Sequence, residues 1–314
     1  MTTSTGPRIA GIVNSKTTLG NARTHLEQLV AALRARSPFK QTELHFTSFP
    51  GHAVDLTRKA LAEGADVILS IGGDGTHSEV VNGFFDGDGR LVRPCAGLAV
   101  LHSGTGGDFR KSLGMGVSAG EAIRSLVAGT PRPIDIGLIR FRDADGRRKQ
   151  RYFVNIASFG ISGVVDDFAR LFAPLGGKTA FLLATVRAFR RYRNVTMRIG
   201  MDNGPAVEQP VCVLAVANGR FFGGGMKIAP QALLDDGFFD AVCLGDLKFR
   251  DFLMKGHRVY RGSHLSLAKV WMRRVRGVSV QAAEPVPIDI DGEARGYAPA
   301  EITVAPERIS VWVA

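Results

Sequence analysis

Val67-Ile68-Leu69-Ser70-Ile71-Gly72-Gly73-Asp74-Gly75-Thr76 is an apolar run that empties into glycines, a carboxylate and a hydroxyl. The apolar part reads as a buried strand, and His77 to Phe84 reads as a helix whose N-terminus points back at the glycines. Glycines allow positive φ and let backbone N–H groups approach an anion without a Cβ in the way. Asp74 does not attract phosphate, since like charges repel. A magnesium ion, often through water, or a hydroxyl that must lose a proton suits it better. The combination points to phosphoryl transfer, against the plainer alternative of a tight turn with an Asp cap.

Outward from this stretch the same alternation repeats. Arg8 to Val13, Thr42 to Phe46 and Gly97 to Leu101 read as strands, and Asn21 to Arg34, Ala53 to Glu63 and Ala119 to Ala128 as helices. Such a pattern predicts a parallel α/β sheet, whose ligands collect at the carboxyl ends of the strands. The loops Asn14 to Gly20, Thr47 to His52, Gly72 to Thr76 and Ser103 to Asp108 all fall there. At Gly129-Thr130-Pro131-Arg132-Pro133 the rhythm changes. Ile134 to Phe141, Arg151 to Ala157, Val195 to Ile199, Val211 to Ala217 and Phe239 to Leu244 then read as mainly antiparallel strands, with helices at Thr179 to Tyr192 and near Phe249 to Tyr260. Val278 to Gln281, Pro287 to Ile290, Glu301 to Ala305 and Arg308 to Val313 are expected strands around a second carboxylate cluster. The expected architecture is an N-terminal parallel α/β sandwich over residues 1–134 and a mainly antiparallel β-sandwich with inserted helices over residues 135–314. The last strands or tail are free to return to the first domain.

The 314 residues, 45% hydrophobic, suffice for two full cores. Cys95, Cys212 and Cys243 are far apart without metal-type spacing and read as reduced core thiols, which points to the cytoplasm. Met1 to Pro7 is polar, and Ile9 to Val13 is too brief for a signal peptide or membrane span. The net charge of +11 is concentrated. Arg140 to Arg198 carries 13 Lys or Arg against 4 Asp, and Lys248 to Arg276 carries nine cations against Asp251 alone. Nucleic acid and anionic lipid both suit such a surface. Without a nucleic-acid motif or interleaved aromatics, peripheral contact with an anionic membrane is the favoured reading and no nucleic-acid partner is expected. A homodimer is compatible with the sequence, which fixes no oligomeric state.

Gly72 to Thr76, with Glu79-Val80-Val81-Asn82-Gly83 behind it, resembles the diacylglycerol kinase and sphingosine kinase family; NAD kinases and phosphofructokinases share the shorter GGDG element. Gly104-Thr105-Gly106-Gly107-Asp108-Phe109 resembles that family's Gly-Thr-x-Asn-Asp-Phe loop, with Gly107 in place of the asparagine and His102 in place of a proline. Asn14-Ser15 stands where an Asn-Pro is usual, and Thr47 with Pro50-Gly51-His52-Ala53 resembles the second phosphate loop. Phe222-Gly223-Gly224-Gly225-Met226, Ala229-Pro230, Ala232 and Asp235 to Asp240 resemble a connected signature of bacterial diacylglycerol kinase-like enzymes, and Asp289-Ile290-Asp291-Gly292-Glu293 resembles their Asp-Gly-Glu motif. The motifs occur in the family's order from Arg8 to about Ala305.

The resemblance implies ATP and magnesium as cofactors and a lipid substrate in a cleft between the domains. It implies nucleotide contacts at Asn14, Thr47, Gly72, Gly73, Asp74, Gly75, Thr76, His77, Ser78, Thr105 and Asp108, with Asp74, Asp291 and Glu293 catalytic and the base left open between the last two. It implies a structural magnesium on Asp236 and the main chains of Leu233 and Phe238. Diacylglycerol is the expected acceptor, with sphingoid base, ceramide, monoacylglycerol or phosphatidylglycerol as alternatives. An NAD kinase-like enzyme and a catalytically inactive nucleotide- or lipid-binding protein are the rival readings. His77, His102 and His264 have no catalytic spacing. The helix with Phe181, Leu182, Thr185 and Phe189 on an apolar side and Arg187, Arg190, Arg191 and Arg193 on a basic one reads as core-packed or as bordering a lipid entry.

Overall fold

A computed structural model of the chain describes residues 7–18, 41–103, 106–116, 126, 128–172 and 177–313. The expected helices at 21–34 and, for the most part, 119–128 lie outside these residues. The chain forms two compact units, residues 1–134 with 307–314, and residues 135–306.

The first unit contains strands β1 Arg8–Val13, β2 Gln41–Phe46, β3 Val67–Gly72, β4 Gly97–His102 and β5 Thr130–Ile134. The second contains β6 Gly137–Arg142, β7 Arg148–Phe153, β8 Ile156–Gly160, β9 Val195–Met201, β10 Val207–Val211, β11 Val213–Ala217, β12 Phe239–Leu244, β13 Val270–Val275, β14 Gly277–Gln281, β15 Pro287–Ile290 and β16 Glu293–Val304. The last strand is β17 Ile309–Val313. The helices used below are α1 His52–Ala62, α2 Asp74–Gly83, α3 Asp108–Ser112, α4 Ile161–Phe172, α5 Gly177–Arg191, α6 Phe249–Lys255 and α7 His257–Arg261.

The first sheet has the order β2-β1-β3-β4-β17-β5. Its centre is parallel and apolar, with β3 buried along its whole length, so a continuous hydrophobic run rather than an alternating one is what this position requires. A core of Ile9, Val13, Val67, Leu69, Ile71, Ala99 and Leu126 packs against it. Arg308 to Val313, expected among the strands around the second carboxylate cluster but left free to return to the first domain, does return: it yields β17, parallel to β4 and antiparallel to β5 in the first unit. The single strand expected over Ile134 to Phe141 is split, and its first residue ends β5. Pro131 and Pro133 lack the N–H a central strand must donate, and β5 accordingly takes the sheet edge.

The second unit is an antiparallel sheet ordered β10-β9-β14-β16-β15-β8-β11-β12-β13, with β6 and β7 added at β16. Ile139, Phe153, Phe159, Met197, Leu214, Phe239, Val280 and Ile288, from strands throughout that sheet, meet in one core, which gives it sandwich character. The other faces of β8, β11, β12 and β13 are covered by α4 and α5 through Ile161, Val165, Ala184 and Ala188. Helix α4 had no counterpart in the sequence reading, and the helix expected near Phe249 to Tyr260 is broken at Gly256 into α6 and α7. Cys212 and Cys243 are buried core thiols, whereas Cys95 is exposed. Among the described residues no helix is long and apolar enough to cross a membrane.

Because β5 finds its sheet partner in β17, a chain ending at Pro306 is expected to lose cooperative unfolding of the first unit. Differential scanning calorimetry of the truncated and full chains tests this; an unchanged first-unit transition would refute it.

Candidate active site

In the first unit the loops after β1, β2, β3 and β4 are tied together by side chains. Asn14 donates from Nδ2 to Thr76 Oγ1 at 2.9 Å and accepts the Lys16 N–H at 3.0 Å. The Ser15 N–H donates to Thr47 Oγ1 at 3.3 Å, and its hydroxyl donates to the Thr47 carbonyl. Gly72 has to be glycine, since a Cβ there would stand 2.5 Å from Thr76 Oγ1. Asp74 makes the decisive contact: Oδ2 accepts the N–H groups of Gly107 at 2.8 Å and Asp108 at 3.2 Å, and Oδ1 accepts that of Phe109 at 3.3 Å. These amides begin α3 and have no intrahelical acceptor, so the carboxylate satisfies them from another loop. Asp108 pairs with Lys111 at 2.8 Å.

Asn14, Thr47, Gly72, Gly73, Asp74, Gly75, Thr76 and Asp108 therefore share one loop cluster at the carboxyl edge of the sheet. Thr105 lies outside the described residues. His77 and Ser78 are fully buried beneath the cluster. The His77 Nδ1 lies 2.7 Å from Ser70 Oγ, and its ring centroid lies 5.6 Å from that of His102. Burial holds the His77 pKa down at about 4, with nearby His102 adding to the effect and Asp74 opposing it.

In the second unit Asp291 and Gly292 link β15 to β16 with φ of 52° and 84°, the two positive φ values of a tight hairpin turn. The Asp291 carboxylate is buried and accepts three backbone N–H groups: Val154 at 3.1 Å, Asn155 at 3.0 Å and Ile156 at 3.1 Å. Glu293 differs. Its Oε2 pairs with Arg151 at 3.4 Å and with Arg295, while Oε1 has no hydrogen bond among the described residues. Asp289 accepts Gly292 N–H at 2.8 Å and the Ser158 hydroxyl at 3.1 Å. It also faces Asp166 of α4. Burial, and then the neighbouring Asp289 charge, push the Asp166 carboxyl well above its usual range; burial raises Asp289 as well.

At the Asp-Gly turn before β12, Asp236 accepts the Phe238 N–H at 3.0 Å and pairs with Arg274 at 2.5 Å, while Leu233 is exposed. Asp135 accepts the Gly237 N–H at 2.6 Å. Asp240 has a buried Oδ2 with no partner, and burial followed by the Asp236 charge raises its pKa against the pull of Arg274.

Comparison with known proteins decides what this arrangement belongs to. Residues 8–139 match the model of the diacylglycerol kinase catalytic domain, and residues 155–313 match that of the YegS C-terminal NAD kinase beta sandwich-like domain. A Stenotrophomonas maltophilia protein named probable lipid kinase YegS-like is 32% identical over 92% of this chain and 90% of its own. The chain belongs to the diacylglycerol kinase-like lipid kinase family.

A Bacillus subtilis diacylglycerol kinase is 28% identical over 83% of this chain and 82% of its own. The fold is that of a diacylglycerol kinase from Bacillus anthracis (TM-score 0.70, 20% identity, 98% and 97% of the two chains) and, more distantly, of yeast NADH kinase (TM-score 0.54, 10% identity, 99% and 84%). Within this lipid kinase family the chain's own departures have a local logic. Ser15 supplies the hydroxyl that joins the first two loops. Gly107 adopts φ 74°, and a Cβ there would lie 3.1 Å from the His102 ring, so the glycine and the histidine fit one another. Arg151, Arg295 and Asp166 were not singled out from the sequence. Arg151 and Asp166 stand on segments remote from the residues they meet, and no local spacing announces such a partner, whereas Arg295 lies two residues from Glu293 on the same strand, a spacing the sequence did offer.

His77 is held neutral in the folded chain, whereas the unfolded chain takes up its proton near pH 6.5. Its contribution is intact above that pH and falls toward pH 4, by up to roughly 3 kcal/mol. Urea unfolding at about pH 7.5 and about pH 4.5 is expected to show a smaller acid-induced loss for His77→Gln than for the wild type. The Asp166–Asp289 pair has the opposite sign: stabilisation is present below the ordinary carboxylate range and lost as pH rises through the raised folded value. Asp166→Asn, a neutral partner for Asp289 at every pH, is expected to flatten the decline in melting temperature as pH rises above the ordinary carboxylate range; parallel profiles would rule out a raised Asp166 carboxyl.

Proposed function

We propose that the chain transfers the γ-phosphoryl group of ATP to the hydroxyl of a lipid, with diacylglycerol the first acceptor to test. The observation that carries this reading is the unequal state of two neighbouring carboxylates. Asp291 is saturated by three backbone N–H groups, whereas Glu293 is oriented through Oε2 by two arginines and keeps Oε1 available. Glu293 is therefore the base. As the lipid oxygen bonds to the γ-phosphorus, the bond from phosphorus to the β–γ bridging oxygen breaks, ADP leaves, and the hydroxyl proton passes to Glu293. Asp291 fixes the turn, and Asp74 holds the glycine loops while Gly72 to Thr76 offer backbone N–H groups to the phosphates.

The nucleotide enters with magnesium as its substrate complex. A resident magnesium ion on Asp236 and the main chains of Leu233 and Phe238 fits the second unit, because the buried, unpartnered Oδ2 of Asp240 adds a donor beside a carboxylate now neutralised by Arg274. When bound it would supply positive charge to that acidic turn. A cytoplasmic enzyme that visits the membrane surface for its substrate is consistent with the charge of the second unit.

The test is transfer of labelled γ-phosphate to a panel of micellar lipids and NAD. Glu293→Gln is expected to lower kcat by about 100-fold or more with melting temperature unchanged, while Asp291→Asn lowers the melting temperature. Labelling of NAD alone would replace this reading by an NAD kinase-like one. Nucleotide binding with no transfer to any acceptor would replace it by a binding protein.

A further inference from the structure

Helices α4 to α7 pack in succession on one side of the second unit, α5 joined to α6 by Phe189 against Phe249 at 5.7 Å and Phe252 at 5.2 Å. Six of the ten exposed large hydrophobic side chains among the described residues stand on these helices: Leu171, Leu182, Leu183, Leu253, Met254 and Tyr260, 40–71% exposed. Concentration of this kind marks an interaction surface, whereas single exposed apolar residues scattered over a protein need no explanation. Helix α5 carries no acidic residue. Its Ala180, Ala184 and Ala188 are buried, whereas Leu182, Leu183, Arg187 and Arg190 are exposed.

Between α4 and α5 lies an open groove of about 540 Å³ lined by Phe168, Phe172, Leu183, Val186, Arg187, Arg190 and Arg191. The Arg187 guanidinium carbon sits 5.1 Å from the centroid of the Phe168 ring. Among the described residues Arg187, Arg190 and Arg191 have no carboxylate partner. A hydrocarbon floor ending in three uncompensated guanidinium groups is complementary to an amphiphile with an anionic head.

We propose that the outer face of α4 to α7 docks on an anionic bilayer, with the groove between α4 and α5 seating one phospholipid: acyl chain on Phe168, Phe172, Leu183 and Val186, phosphate on Arg187, Arg190 and Arg191. The proposal rests on the lipid-kinase reading only for its purpose, which is to hold the enzyme where its substrate resides. The exposed leucines favour a bilayer over nucleic acid, since phosphate neutralisation alone has no use for them.

The test is binding of the full chain to phosphatidylcholine vesicles with and without phosphatidylglycerol. The wild type is expected to prefer the doped vesicles, and R187Q/R190Q/R191Q to bind them about 100-fold more weakly. R147Q/R148Q/K149Q, an equal charge change on the β6–β7 hairpin, is expected to bind within about threefold of wild type. L171S/L182S/L183S is expected to lose the binding that survives high salt. Equal losses in both charge variants would reduce the effect to net charge and overturn the site. Competition by inorganic phosphate without vesicle binding would assign the arginines to a free anion, and duplex DNA binding unaffected by the leucine changes would assign them to nucleic acid. Transfer to lipid dispersed in neutral micelles is expected to be unchanged in R187Q/R190Q/R191Q. Absence of transfer in wild type, with vesicle binding intact, would defeat the proposed function and leave the docking surface standing.

Discussion

The carboxylate of Asp74 holds the first unit's site together. It stands at the end of β3, and its three acceptor contacts fall on consecutive amides of the loop after β4, more than thirty residues later in the chain. Without that anion the first turn of α3 would present amides lacking an intrahelical acceptor, and the two glycine loops would have little to fix their separation. The contact also restricts the chemistry. The Gly107, Asp108 and Phe109 amides are already occupied, so they offer no free N–H to another anion.

The second unit solves a related problem. Its Asp-Gly turn requires two residues at positive φ, one of them bearing a side chain, and that strain is offset by burying the Asp291 carboxylate against three backbone N–H groups. The next residue along, Glu293, is thereby placed on a rigid turn. Asp289 completes the support from beneath by accepting the Gly292 N–H, and does so while coupled to Asp166 on α4. Three acidic residues within five positions differ because their surroundings differ: one is buried beside a second carboxyl, one is saturated with amides, and one keeps an oxygen available.

The basic residues follow the same rule of context. In the sequence, the regions from Arg140 and from Lys248 appear as two separate stretches of positive charge. Folding places α5 and α6 side by side, joining arginines from both regions with leucines that the core did not take. Charge that is ordinary along the chain becomes a face with a definite chemistry.

The alternation of apolar runs with helical spacing, and the emptying of Val67 to Ile71 into glycines, determined the parallel first sheet and the edge of it at which the glycine loops gather. These are short-range patterns, governed by side-chain period and glycine's conformational freedom, and a sequence carries them openly. The order of motifs from Gly72 to Glu293 likewise marked the family. What only the tertiary structure decided were matters of long-range pairing. Ile309–Val313 returns between β4 and β5 because hydrogen-bonding edges are matched in space, and a strand's own residues do not name its neighbour. Asp291 and Glu293 are equally plausible bases as letters. Their surroundings differ only once the amides of Val154 to Ile156 reach Asp291, and Arg151 reaches Glu293, from segments far away in the chain, with Arg295 joining from Glu293's own strand.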